Sequence, residues 1–221
     1  NYLVSSFARA GIYTDGPGSI VNNRVEHPVD VAQTAFKFTD STGIVVAAGQ
    51  TMVSQNRLYA ENHASFRSGN NNFAGSRVHF EDKKVGETVK QVQILSNVIE
   101  GGCYGVILAE CEDIMVKSND IRGYTGAAIH LFAADSTALK SRIQNVHITE
   151  NFIGAVDTAS TFTGKSRAIV GGIVLAREGT TIQADHIYVR NNIFNRKYDD
   201  IVDPQVRERH QYEIDLHLSE G

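Results

Sequence analysis

The chain has 221 residues, 42% of them hydrophobic and 21% charged, with a formal net charge of −4 at pH 7. That length and apolar content suit one ordinary soluble domain spanning residues 1–221, and an acidic balance without a basic cluster argues against nucleic acid as the main partner. No segment reaches the run of about 20 apolar residues that a membrane helix needs, so no membrane partner is expected.

Taken in chain order, two short patterns alternate. Gly11-Ile12 reads as a degenerate first apolar element, followed by the corner Ile20-Val-Asn-Asn23-Arg-Val25. An apolar-x-apolar triplet, Phe36-Lys-Phe38, then precedes Val53-Ser-Gln-Asn56-Arg-Leu58, and Val78-His-Phe80 precedes Ile94-Leu-Ser-Asn97-Val-Ile99. The order repeats with Val106-Ile-Leu108 before Val116-Lys-Ser-Asn119-Asp-Ile121, and with Ile129-His-Leu131 before Ile148-Thr-Glu-Asn151-Phe-Ile153. Ile173-Val-Leu175 precedes Val189-Arg-Asn-Asn192-Ile-Phe194, and Ile214-Asp-Leu216 closes the series.

Successive asparagines are 33, 41, 22, 32 and 41 residues apart, while the apolar residues at −3 and +2 hold their places. A fixed local frame with variable spacing is the mark of a solenoid whose turns carry loops of different length. Val and Ile dominate, the alternation has period two, and no stretch carries a 3.6-residue stripe, so the elements are short strands. Strands that repeat in one direction pair as parallel ladders. The expected fold is all-β, a right-handed single-stranded parallel β-helix of about seven coils. The asparagines are expected to stack at one corner as an amide ladder and to adopt the left-handed backbone of a sharp turn. Asn1 reads as lying mid-coil and both ends as open sheet edges, so a piece of a longer polypeptide, or one shielded by neighbouring chains, is expected.

Function on such a fold is sought in columns of outward residues, one from each coil. Aligning the triplets gives the column Lys37, His79, Ile107, His130, Val174, Asp215. Two positions on lies a second column: Asp40, Asp82, Glu110, Ala133, Arg177, Leu218. Neighbouring coils hold equivalent groups about 5 Å apart and next-but-one coils about 10 Å apart. Those separations bracket the carboxylate spacings of glycoside hydrolysis, about 5–5.5 Å for retention and about 6.5–9.5 Å for inversion. Asp40, Asp82 and Glu110 are therefore the candidate catalytic acids, with Lys37, His79, His130 and Arg177 as substrate-binding residues. The plainer alternative is that the acids mark exposed turns after each strand.

After the asparagine corner runs a third column, Glu26, Tyr59, Glu100, Arg122, Gly154, Asn195. Glu100 and Arg122 fall on adjacent coils as a cross-strand pair, worth about 0–1 kcal/mol at a surface. With Tyr124 and His130 they offer the base and cation of a lyase, a reading ranked below the carboxylate column. Lys83, Lys84 and Lys90 either meet an acidic glycan or serve as solubilising charge. Cys103 and Cys111 are the two cysteines and read as semi-buried thiols, not as a disulfide staple. No metal or cofactor motif is present, so no cofactor is expected.

The Asn-x-Ile corner on glycine-flanked strands, as in Gly105-Val-Ile-Leu108 followed by Val116-Lys-Ser-Asn119-Asp-Ile121, resembles the pectate-lyase-like right-handed β-helix superfamily. That superfamily holds polysaccharide lyases, polygalacturonase-type hydrolases, uronan epimerases, fructan transferases and bacteriophage tailspikes. The resemblance is one of fold and not of activity. Asp203-Pro-Gln-Val206 departs from the epimerase signature Asp-Pro-His-Asp at its third and fourth positions, and the paired-aspartate motif of polygalacturonases is missing. Variable insertions and few cysteines resemble the tailspikes best. That resemblance implies a homotrimer, extracellular or in a virion tail, that binds and depolymerises a bacterial surface polysaccharide. A secreted lyase or epimerase, and a non-catalytic trimeric stalk or adhesin, are the alternatives.

Overall fold

A computed structural model describes residues 1–4, 10–27, 42–47, 49–60, 78–80, 89–101, 104–109, 111–124, 127–132, 142–154, 171–176, 183–195 and 214–216. Among the described residues there is no helix, and the strands form three sheets. Sheet A stacks β1 (Tyr2–Val4), β4 (Arg24–His27), β7 (Arg57–Ala60), β10 (Val98–Gly101), β13 (Asp120–Arg122), β16 (Phe152–Ile153) and β19 (Ile193–Phe194). Sheet B stacks β2 (Ala10–Thr14), β5 (Thr42–Val46), β8 (Val78–Phe80), β11 (Val106–Ala109), β14 (Ala127–Phe132), β17 (Gly171–Ala176) and β20 (Ile214–Leu216). Sheet C stacks β3 (Gly18–Val21), β6 (Thr51–Ser54), β9 (Val89–Leu95), β12 (Cys111–Lys117), β15 (Arg142–Thr149) and β18 (Gln183–Arg190).

From β2 onward the chain visits B, then C, then A, without a break in that order through β19. Each strand pairs in parallel with the strand one repeat before and one repeat after it, as in Ile99 with Leu58 and Ile121. The arrangement is all-β, with parallel sheets, and compatible with a parallel β-helix. The apolar frame now has a reason. The residue three before each ladder asparagine points into the core from sheet C, and the residue two after it points in from sheet A. Ile94 and Ile99, Val116 and Ile121, and Ile148 and Ile153 are all fully buried in one cluster. Complete burial of such a side chain contributes about 1.5–3 kcal/mol.

Among the described residues the ladder joins seven asparagines. Asn1 Nδ2 donates to Asn23 Oδ1 at 3.0 Å, adding a member beyond the six corners read from the sequence. Asn23 gives its other hydrogen to the Val21 carbonyl of its own repeat, and from Asn56 through Asn151 the pattern is uniform. Asn97, for example, receives Asn56 Nδ2 at 3.0 Å and the Asn56 backbone N–H at 2.9 Å on its Oδ1. Its Nδ2 donates to Asn119 Oδ1 at 2.9 Å and to the Val53 carbonyl at 2.9 Å. Both amide hydrogens and both oxygen lone pairs are thus used inside a buried site, which is how a buried polar side chain avoids a desolvation cost.

Two expectations need correction. The left-handed residue at the corner is not the ladder asparagine but the residue before it: Asn22, Gln55, Ser96, Ser118, Glu150 and Asn191 have φ of 53–57°. That left-handed turn lets the following amide point inward while its own side chain stays outside. The second correction concerns sheet B. The strand that pairs with β8 is β5, through Ile44 with Val78 and Val45 with His79, and not the Phe36–Phe38 triplet. Val45 therefore holds the column position assigned to Lys37, and the offset that set Asp40 beside Asp82 and Glu110 is lost.

Asn119→Ala removes one rung and the four hydrogen bonds its buried side chain makes, two accepted from Asn97 and two donated to the Ile94 carbonyl and Asn151. Leaving several buried groups unsatisfied costs about 1–3 kcal/mol each, so a loss of about 3–5 kcal/mol is expected. Denaturant unfolding of the variant beside Ser118→Ala, which touches the outer corner, measures it. Equal stability of the two variants contradicts the ladder's role.

Candidate functional site

Asp40, Asp82, Glu110, Lys37 and Arg177 lie outside the described residues, and of His79 only the backbone is described. What the fold does show is the register that the columns assumed. His79 pairs with Ile107, Ile107 with His130, His130 with Val174, and Val174 with Asp215. The sheet B column is real from His79 onward, headed by Tyr13 and Val45.

Its middle is not a solvated wall. Val45, Ile107, His130 and Val174 are 2%, 5%, 2% and 3% exposed, so these outward positions are as buried as the inward ones. Tyr104, also buried, lies against His130 with ring centroids 5.0 Å apart. His130 is therefore a packed side chain at this position, not an exposed substrate contact.

On sheet A the column Glu26, Tyr59, Glu100, Arg122 is in register. Glu100 and Arg122 are direct cross-strand neighbours, but the Arg122 guanidinium grips Asp120, two residues earlier on its own strand, with Nε donating to Oδ1 at 3.0 Å. The Asp120 hydrogen bond and charge hold the guanidinium more firmly protonated, and Glu100 adds a smaller push in the same direction. Tyr124 is fully buried in the core cluster. Glu100 and Arg122 thus share an outer face, whereas Tyr124 and His130 are enclosed, and the four groups of the lyase reading do not meet on one exposed surface. Lys90 is ion-paired to Glu112 of the next repeat, Nζ to Oε2 at 2.7 Å, which fits the solubilising reading.

Sheet C carries an exposed pattern that the sequence did not reveal. Gln50, Gln91, Asp113, Asn145 and His186 all have left-handed backbone, with φ of 51–59°, at equivalent points of successive repeats. Two residues on runs a second outward column: Met52, Gln93, Met115, His147, Tyr188. Its last two rings stack, with centroids 4.6 Å apart and planes at 26°. Asn145 links the columns: its Nδ2 donates to Asp113 Oδ1 at 2.7 Å, and its Oδ1 lies 3.1 Å from His147 Nε2. Among the described residues, no three His, Cys, Asp or Glu side chains converge as a metal site. No family model, no curated protein and no solved structure matches the chain.

Of the two cysteines, Cys103 lies outside the described residues. Cys111 is free, fully buried in the core, and desolvation pushes its pKa well above the usual thiol range. The folded state holds the thiol proton more tightly than the unfolded state. This contribution to stability is complete below the unfolded thiol value of about 8.5 and is lost as pH rises above it, at about 1.4 kcal/mol per pH unit. In a Cys103→Ser background, stability between pH 9 and 11 should fall more steeply with Cys111 present than in Cys111→Ala, by about that slope. Parallel pH profiles contradict it.

Proposed function

We propose that the three-sheet stack is a right-handed single-stranded parallel β-helix of the pectate-lyase-like kind that binds a bacterial surface polysaccharide and cleaves it hydrolytically, as tailspike-type proteins do. The observation that carries this reading is the pairing of β8 with β11, Val78 with Val106 and His79 with Ile107. Asp82 and Glu110 each follow the end of their triplet by two residues, and the register of those triplets supports reading the two acids as a pair on neighbouring repeats. Adjacent parallel strands are about 4.8 Å apart, close to the carboxylate separation of retaining glycosidases. Two carboxyls at that separation cannot both ionise easily, and the one whose pKa rises is the natural general acid. Asp40 falls out of the pair because β5 replaces the triplet that aligned it. Homotrimeric assembly and an extracellular or virion setting belong to the same proposal and rest on the resemblance.

A second reading is a non-catalytic stalk or adhesin. It is favoured by the burial of Val45, Ile107, His130 and Val174 on the outer positions of sheet B, which suits packing better than substrate.

The test is incubation with purified O-antigens, capsular polysaccharides and acidic plant and algal glycans, reading reducing ends and ultraviolet absorbance together. The proposal expects new reducing ends without absorbance, and a loss of at least about a hundredfold in rate for Asp82→Asn and for Glu110→Gln. Absorbance at the new ends points to elimination and a lyase. No product from any polymer leaves the stalk reading.

A further inference from the structure

We propose that the stack joins end to end with a second copy of this chain, the Asn192 end of one copy receiving the Asn1 end of the next, so that the asparagine ladder runs on across the joint. The contact lies along the axis of the stack and uses none of the outward columns, so it goes beyond the polysaccharide reading and does not depend on it.

The ladder has a direction. In each rung from Asn23 to Asn151 the backbone N–H and one Nδ2 hydrogen go to the same oxygen, Oδ1 of the asparagine one repeat later, at 2.9–3.0 Å. From Asn56 onward the other Nδ2 hydrogen goes back to the carbonyl three residues before the preceding asparagine, as from Asn192 to Ile148 at 2.9 Å. Every rung accepts from one side and donates to the other, so the two ends of the column differ. At Asn192 the oxygen is used by Asn151, but the backbone N–H and the second Nδ2 hydrogen meet no acceptor among the described residues. At Asn1 the reverse holds: Nδ2 donates to Asn23, and Oδ1 accepts no hydrogen bond among the described residues. Two converging donors at one end and an unused acceptor at the other are complementary.

The strands agree with the amides. Leu3, at the apolar +2 position from Asn1, pairs with Val25 as each later +2 residue pairs with the next. Laid on Asn192 in that register, Asn1 of the copy takes both free hydrogens on its Oδ1 and turns its own second Nδ2 hydrogen to the Val189 carbonyl. Tyr2 then stands beside Ile193, and Leu3 beside Phe194. β1 of the copy adds to β19, the outermost strand of sheet A at that end, and its β2 adds to β20, the outermost strand of sheet B. On sheet C one strand position stays open between β18 and β3 of the copy, because the order is B, C, A and β1 enters on A.

The same end leaves apolar side chains uncovered. Ile214 is 42% exposed, whereas Ile173, its partner one repeat below, is fully buried. Ile187, Val189 and Phe194 are only partly buried, although Val146, Ile148 and Ile153 beneath them are wholly enclosed. Ile193, on the outer side of β19, is 62% exposed. A small polar ligand could answer the two donors but would leave these side chains in water; a further layer of the same solenoid answers both. An unpaired parallel strand edge is also a ready template for another chain.

Sedimentation velocity and small-angle X-ray scattering on this chain, from about 1 μM to about 1 mM, test the joint. A head-to-tail contact does not close, so a series of species is expected, each added copy lengthening the particle by about 34 Å, or seven strand spacings, at constant cross-section. Length is the readout whether the unit that grows is one copy or a side-by-side trimer. Asn1→Ala removes the acceptor, and Ile193→Lys puts a charge on the edge at β19. Each should weaken association at least about tenfold with the circular dichroism unchanged, while Met115→Lys, on the outer face of sheet C, should leave it as it is. A particle of one length at every concentration overturns the joint, and if that particle is a compact trimer the homotrimer reading still stands. Association that survives both Asn1→Ala and Ile193→Lys, or that Met115→Lys abolishes, puts the contact elsewhere and overturns the joint as well.

Discussion

A buried asparagine amide has two hydrogens to donate and two lone pairs to satisfy, and in this chain all four are answered only by the repeats on either side. Asn97 takes the Asn56 amide and backbone N–H on its oxygen and gives its own hydrogens to Asn119 and to the Val53 carbonyl. No rung can be satisfied alone, so the stack is cooperative along its axis. The same bonds fix the strand spacing, because the amides must meet at hydrogen-bond distance in every repeat. They fix register too: a slip of one residue would carry the amide out of the corner and turn Ile94 and Ile99 toward solvent.

With that corner fixed, the three faces acquire different characters. Sheet A, just past the corner, has short strands and an outer surface of charge, with Arg24 on Glu26 and Arg122 on Asp120. Sheet B is buried on both sides in its middle, since Ile107, His130 and Val174 are buried although they alternate with inward residues. Sheet C is bent by left-handed residues and carries the exposed ladder from Gln50 to His186 with the aromatic step beside it.

The sequence showed the corner clearly because three residues at fixed offsets report one piece of geometry: inward at −3, ladder at 0, inward at +2. It misled on sheet B for a physical reason. A half-buried strand alternates, and Phe36-Lys-Phe38 alternates, but the true strand contains the unbroken run Ile44-Val-Val46 because both of its faces are covered. The left-handed position was misplaced by one residue because asparagine is both a good ladder group and a good left-handed residue, and only coordinates separate the two roles. The sheet C column was illegible for a different reason. Met115, His147 and Tyr188 are 32 and 41 residues apart and share no local motif, so nothing but stacking brings them together.

The ladder is best tested by hydrogen exchange at the side-chain amides of selectively labelled asparagines. Asn56, Asn97, Asn119 and Asn151 are buried and doubly donating, so their NH2 protons should exchange only through opening of the stack, far more slowly than those of the exposed Asn22 and Asn191. Exchange of the four at the same fast rate as Asn22 and Asn191 would contradict the account, because no stacked amide ladder could then be holding the repeats together.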